Sequence, residues 1–394
     1  MSGTISRGIL APIVSPGDDI VKIAVDSVLA AAERDGFAIQ DRDVLCVTET
    51  VVARADNNFA TVDQIAEDVR AKFPGGTVGV VFPITSRNRF AIVLRGIARG
   101  AKKVVVQLSY PTDEVGNHLV PLELLEESGV NPWTDVLSVA DFRKHFGTPL
   151  HPFTQMDYLT YYTDLIREEG AEAELILAND PTSILAYTSE VLAADIHTRE
   201  RTKARLIKGG AKRAYTMCDL LSAPVSGSGC NPQYGLLGCN KSNEGKVKLF
   251  PKNAPEVARK IQALMLERTG KHIEAMVYGD GAFKDPVGKI WELADPVVSP
   301  GFTDGLVGLP NELKLKYLAD NEFAGLSGEE LKAAIRERIS QKGTDLMGTM
   351  AAQGTTPRRL TDLIGSLCDL TSGSGDKGTP IVYIQNYFSN YSEQ

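Results

Sequence analysis

The stretch that most constrains this chain is a largely apolar run at residues 273–278 that stops abruptly at Gly279-Asp280-Gly281. A short apolar run closed by glycine reads as a buried strand. The two glycines let the backbone turn sharply and approach a ligand closely. Lys284, Asp285 and Lys289 follow directly. A carboxylate at the end of a strand, with lysines nearby, suits a site for a metal ion and phosphates. Gly-Asp-Gly is equally ordinary turn chemistry, so Asp280 carries two readings, ligand or turn residue.

At 394 residues the chain exceeds one average domain, and two or more lobes are expected. A hydrophobic content of 43% with 23% charged residues supplies an ample globular core. The net charge of -8 argues against a general nucleic-acid binder, which needs a basic face, but leaves room for small anions in local pockets. No apolar run approaches membrane-spanning length, and residues 1–7 do not read as a signal peptide. Cys46, Cys218, Cys230, Cys239 and Cys368 are odd in number and scattered, with neither zinc spacing nor a disulfide framework. A cytoplasmic protein with reduced thiols is expected. The five histidines are dispersed too, so a metal here would take oxygen ligands, which points to Mg or Mn.

Taken in order, residues 8–19 begin with a short apolar strand that breaks at Pro16-Gly17, and Asp18 or Asp19 caps a helix over 20–34. A strand is expected at 44–48, ending at Glu49-Thr50, with Arg54 one turn on. A helix over 61–73 and a strand over 78–82 follow. Residues 86–99 carry Arg87, Arg89, Arg95 and Arg99 among apolar residues and predict a helix with a basic, solvated face. Lys103 opens a strand that runs to 108. Residues 119–170 show no clear period, and Tyr158, Tyr161 and Tyr162 read as packing. From 173 onward strand, helix and strand alternate with short links up to 217, the pattern of a βαβ unit and a parallel sheet. No GxGxxG lies there. Residues 223–245 are rich in small, turn-forming residues and read as a linker or a phosphate-facing loop. Helices are expected over 253–268, much of 310–341 and 360–368, then a glycine-rich loop and a last strand over 381–385. The whole predicts an α+β (mixed α/β) fold. Residues 1–79 and 226–394 would build its core, and 80–225 an α/β insertion.

Several segments resemble, in order, the coenzyme F420-0:L-glutamate ligase (gamma-glutamyl ligase) family. Residues 12–19 resemble its opening strand with Gly-Asp-Asp. Residues 43–55, DVLCVTETVVARA, resemble its strand and Ser-Lys-Ala-like turn, with Arg54 in the lysine's place. GCNKSN at 238–243 resembles the Gly-Ile-Asp-x-Ser-Asn loop, 278–286 the Ser-Asp-Thr-Phe-Gly-Arg-Pro segment, and 360–383 the closing helix, glycine loop and strand. The resemblance implies a metal-dependent, GTP-using ligase with an α+β fold that often assembles as an intertwined homodimer. It implies Asp280, Gly281, Asn240 and Asp362 around Mg or Mn, with K as a further candidate ion. It implies Pro12, Ile13, Val14, Ser15, Glu49, Thr50, Arg54 and Asn243 on the nucleotide. Ser372, Gly373, Ser374, Gly375, Asp376 and Lys377 would wrap the phosphates. Where the family has its first metal aspartate this chain has Asn240, which offers a carbonyl oxygen without charge.

Amide ligation needs an activated carboxylate, made by phosphoryl transfer and then attacked by an amine. That chemistry is mostly charge positioning by metal and cationic side chains. Asp280, Asp285 and Asp362 supply carboxylates; Lys284, Lys289, Arg358, Arg359 and Lys377 supply cations. Asp280, Lys284 and Asp285 are the expected catalytic residues. The expected activity joins L-glutamate to a small acidic acceptor, with no nucleic acid and no membrane involved. Two alternatives stay open: amino-acid ligation onto another cofactor or metabolite, and nucleotide or metabolite binding without ligation. Asn240 is the residue that favours the last.

Overall fold

The computed structural model describes residues 3–151, 154–279, 282–284, 291–293, 299–352, 359–372 and 376–393, with backbone alone for 282–284 and 291–293. The chain opens with β1 (Ile5–Ile9), α1 (Ile20–Asp35), β2 (Val44–Thr48), α2 (Glu49–Ala55), β3 (Phe59–Thr61) and α3 (Val62–Lys72). A central stretch holds β4 (Thr77–Val81), α4 (Phe90–Gly100), β5 (Lys103–Leu108), α5 (Leu122–Ser128), β6 (Leu137–Ser138) and α6 (Val139–Phe146). It continues with α7 (Tyr158–Glu168), β7 (Glu172–Leu177), β8 (Glu190–Ala193), α8 (Arg199–Lys208) and β9 (Arg213–Thr216). Then come β10 (Asn240–Asn243), β11 (Lys246–Lys248), α9 (Ala254–Thr269), β12 (Glu274–Tyr278), β13 (Ala282–Lys284), β14 (Trp291–Leu293) and β15 (Gly301–Phe302). Short α10 (Leu315–Tyr317), α11 (Gly328–Ser340), α12 (Leu360–Ser372) and β16 (Ile381–Gln385) complete it. The mixed composition is that of an α+β fold.

The sheet that carries the site has the order β1-β16-β2-β12-β15. Its centre is a parallel pair, β2 and β12, aligned from Val44 opposite Glu274 to Thr48 opposite Tyr278. Strands buried on both faces read as nearly unbroken apolar runs, which is why both segments stand out in the sequence. One face is covered by α1 and α9, the other by α12. Helix α1 starts where Asp19 accepts the Lys22 N–H at 3.0 Å and stops at Gly36, whose φ of 71° only glycine adopts readily. The first strand ends at Ile9 rather than running on to Pro16. Pro12 lacks the N–H a ladder needs, and residues 10–19 form an open loop instead.

A second sheet, in the order β6-β7-β5-β4-β8-β9, occupies residues 77–216 and is parallel except for the β6 edge. Helices α3, α4 and α7 pack on one face and α8 on the other. The βαβ pattern expected after 173 is present as β8, α8 and β9. Helices α3 and α4 meet closely because Gly96 and Gly100 lie on the contact. A Cβ at 96 would come within 2.4 Å of Ile65 and one at 100 within 2.7 Å of the Ala66 carbonyl oxygen. Arg87 and Arg89 precede α4, whereas Arg95 and Arg99 on it both bind Glu169. Tyr158 and Tyr162 are core residues stacked edge to face at 5.4 Å. Between the two sheets runs a small one, β10-β11-β3, so part of the 223–245 segment is a hairpin rather than loop. Among the described residues no helix is long and apolar enough to cross a membrane.

Candidate functional site

The parallel pair β2 and β12 ends side by side at Thr48 and Tyr278, and a cleft of about 590 Å³ opens there. Ligands in open α/β sheets sit outside the carboxyl ends of strands, and this volume is in the usual range for a small-molecule site. Four chain segments wall it. The loop 11–14 forms one rim, α2 contributes Thr50, Val51 and Arg54, and β12 contributes Tyr278 with Gly279. Helix α12 contributes Asp369 and Ser372, beside Gly378, Thr379 and Pro380.

Backbone and side-chain bonds hold these walls in place. The Thr48 N–H donates to the Pro380 carbonyl at 2.9 Å, and the Ala11 N–H to the Gly378 carbonyl at 3.2 Å. Arg54 donates through Nε to the Val14 carbonyl, and the Gly17 N–H donates to the Ala55 carbonyl at 2.8 Å. The loop 10–19 is thereby clamped to α2. Pro12, Ile13 and Val14 line the cleft, and Ile13 is 89% exposed at its mouth. Ser15 does not line it; its N–H caps the turn to Asp18 at 2.6 Å. Burial, then the nearby Cys368 thiol, push the Tyr278 phenol well above its ordinary pKa, so the floor of the cleft is neutral there.

Glu49 stands behind the wall rather than in it. It is buried and ion-paired to the ammonium of Lys248 on β11. Thr50 joins both: its Oγ1 accepts from Lys248 Nζ at 2.9 Å and donates to Glu49 Oε1 at 3.0 Å. Lys248 escaped the sequence reading. Its one local signal is a lysine set inside the otherwise apolar VKLF. Asn240 is the cross-strand partner of Lys248 and is half-buried. Asn243 is exposed at the hairpin turn, where its Oδ1 accepts the Gly245 N–H at 3.0 Å; it does not line the cleft.

Helix α12 presents Asp369 to the cleft, not Asp362, which lies in its first turn about 10 Å away along the axis. Asp369 also escaped the sequence reading, since which turn of a helix meets a cleft is decided by how the helix docks. Asp376 and Lys377 are exposed, directly before the cleft residue Gly378. Asp280, Gly281, Asp285, Gly373, Ser374 and Gly375 lie outside the described residues, and Lys284 is described in backbone only. Gly279, the last described residue before Asp280, lines the cleft.

Among the described residues no group of three or more His, Cys, Asp or Glu side chains is placed to hold a metal ion. Asn240 does not line the cleft, and the ammonium of its cross-strand partner Lys248 is already balanced by the Glu49 carboxylate. Asp369 is the carboxylate side chain that the described part of the cleft offers.

The model of a family described as F420-0:gamma-glutamyl ligase matches residues 8–386, limits that enclose every wall of the cleft and both large sheets except the first three residues of β1. No curated protein matches the chain.

Proposed function

The chain belongs to the F420-0:gamma-glutamyl ligase family, and from that premise we propose that it is a GTP- and divalent-metal-dependent ligase. It joins L-glutamate to a small acidic acceptor through a gamma-glutamyl-type amide. The observation that carries the reading is the cleft at the carboxyl ends of β2 and β12. It gathers Pro12, Val14, Thr50, Arg54 and Ser372 from both ends of the chain around one cavity.

The residues suit charge positioning. Arg54 presents a guanidinium whose Nε is already held by the Val14 carbonyl, leaving the fork's other donors for phosphate oxygens. Thr50 and Ser372 line the same walls, with their hydroxyls donating to Glu49 and to the Asp369 carbonyl. The acceptor carboxylate would take the γ-phosphoryl group, releasing GDP. The amine of glutamate would then displace inorganic phosphate, forming the amide and losing a proton. Bound Mg or Mn would neutralise charge on the phosphates, with Asp280 and Asp369 as its candidate carboxylate ligands. The segment 80–225 would shape the acceptor side, and the assembly would be a cytoplasmic homodimer.

The test is phosphate release on mixing GTP, Mg, L-glutamate and a panel of small carboxylic acids. Release that requires both glutamate and one acid, with a product heavier by a glutamyl group, is expected. Nucleotide binding without release in any mixture would favour the second reading, a metabolite-binding protein without ligation, which Asn240 supports.

A further inference from the structure

We propose that the second sheet carries a ligand site of its own, a cavity at the carboxyl ends of β4 and β8 that takes a short aliphatic carboxylate. The inference is independent of the ligase reading, which concerns the cleft of the first sheet.

The strand order places the site. In the chain β4 is the first strand of this sheet, and in space it lies near the centre. The chain then adds β5 and β7 on one side, crosses over, and adds β8 and β9 on the other. The order reverses between β4 and β8, which run parallel and side by side. The helices that follow them, α4 and α8, pack on opposite faces. The loops leaving the two strands therefore part, and the crevice at such a reversal is where open α/β sheets bind ligands. Here the crevice holds a cavity of about 30 Å³. Ile84 and Phe90 beyond β4, Ala194 and Ile196 beyond β8, and Met217 beyond β9 line it. Half-buried Arg89 is the charged side chain on this lining among the described residues.

The crevice does not suit a nucleotide. Phosphates at a strand-to-helix turn are held by main-chain N–H groups and glycines. The Ile196 and His197 N–H groups already donate to the Glu114 carboxylate. At the start of α4 the Arg89 N–H donates to Ser86 Oγ at 3.1 Å, and the Ala91 N–H to the Ser86 carbonyl at 2.9 Å. Residues 82–89 hold no glycine. What the crevice offers is apolar wall and a guanidinium. An unfilled apolar cavity forfeits dispersion contacts that an alkyl group restores. The guanidinium has five N–H donors in a fork that matches a carboxylate, so Arg89 can take a ligand's carboxylate while keeping a contact elsewhere. The volume admits roughly two or three water-sized groups, which fits a propyl chain rather than a ring. A mere packing void would take an uncharged ligand as readily as an acid.

The experiment titrates the full chain, carrying carbon-13 in its methionine methyl groups, with butyrate and with butyramide, and follows the methyl signals by NMR. The Met217 signal is assigned through Met217→Leu. A saturable shift of that signal with butyrate is expected, with butyramide weaker by at least about tenfold. Arg89→Gln should bring butyrate down to the level of butyramide. Ala194→Leu, which fills the cavity, should abolish both shifts. A Met217 signal that butyrate does not move, or equal affinity for acid and amide, would overturn the inference and leave the ligase reading standing. Undiminished butyrate binding in a folded Arg89→Gln or Ala194→Leu protein would also overturn it. The wild-type comparison of acid with amide decides the matter where a variant does not fold.

Discussion

Arg54, near the end of α2, donates through Nε to the main-chain carbonyl of Val14, 40 positions earlier in the chain. The bond ties two walls of the cleft together and fixes the plane of the guanidinium. Arg54→Ala is expected to weaken GTP binding in the presence of Mn roughly tenfold to a hundredfold, about 1.4–2.7 kcal/mol. Arg54→Lys keeps the charge without the planar fork and should lose less than the alanine variant. Calorimetric titration measures both. Wild-type affinity in a folded Arg54→Ala protein would remove this residue from the nucleotide site.

Asp280→Asn separates ligand from turn residue. Asparagine serves a turn as well as aspartate but brings no charge to a cation. Mn affinity measured with GTP bound should fall more than tenfold, above about 1.4 kcal/mol. The thermal transition without ligand should stay put. An unchanged Mn affinity returns Asp280 to the turn.

Gly238 opens the GCNKSN stretch, yet its geometry calls for glycine whatever binds nearby. Its φ is +74°, and a Cβ there would lie 2.1 Å from the Phe250 ring. Gly238→Ala is expected to cost about 2–4 kcal/mol in urea unfolding, from backbone strain and the displaced ring. A loss below about 1 kcal/mol would mean that Phe250 moves aside at little cost.

Glu114 is half-buried beyond the end of β8, where its carboxylate accepts the Ile196 and His197 N–H groups. Burial, with the Asp195 and Asp113 carboxylates behind it, pushes its pKa up to about 8 from an ordinary 4.5, despite the bond from His197. The folded protein therefore keeps a proton that the unfolded chain has released. The stabilisation is complete below pH 4.5 and is lost as pH rises through about 8. Glu114→Gln cannot ionise, so its stability should change less between pH 5 and 8. At pH 8 it should exceed the wild type by roughly 2 kcal/mol, a figure reduced for partial exposure. Parallel pH slopes for the two proteins in chemical denaturation would rule Glu114 out as the source.

What the sequence determined by itself is the set of elements, wherever one local rule was enough. Strands 44–48, 103–108 and 381–385 and the helix 199–208 coincide with observed elements. Buried parallel strands read as unbroken apolar runs, and helices announce themselves by period and by terminal residues such as Gly209. Family membership was also legible, because short motifs in a set order survive even where single positions such as Asn240 change. Residues 119–146 were illegible because α5, β6 and α6 are short and expose most of their residues, whereas α7 does carry a helical period at Tyr158, Leu159, Tyr162, Leu165 and Ile166. The tertiary structure alone decided which parts meet. Local periodicity says nothing of strand order, so the pairing of β2 with β12, across more than half the chain, could not be read from either segment. Nor could the docking of α12, which turns Asp369 rather than Asp362 to the cleft. Lys248 shows the limit most clearly. Its place depends on Glu49, 199 positions away, and a buried charge acquires its partner only when the chain has folded around both.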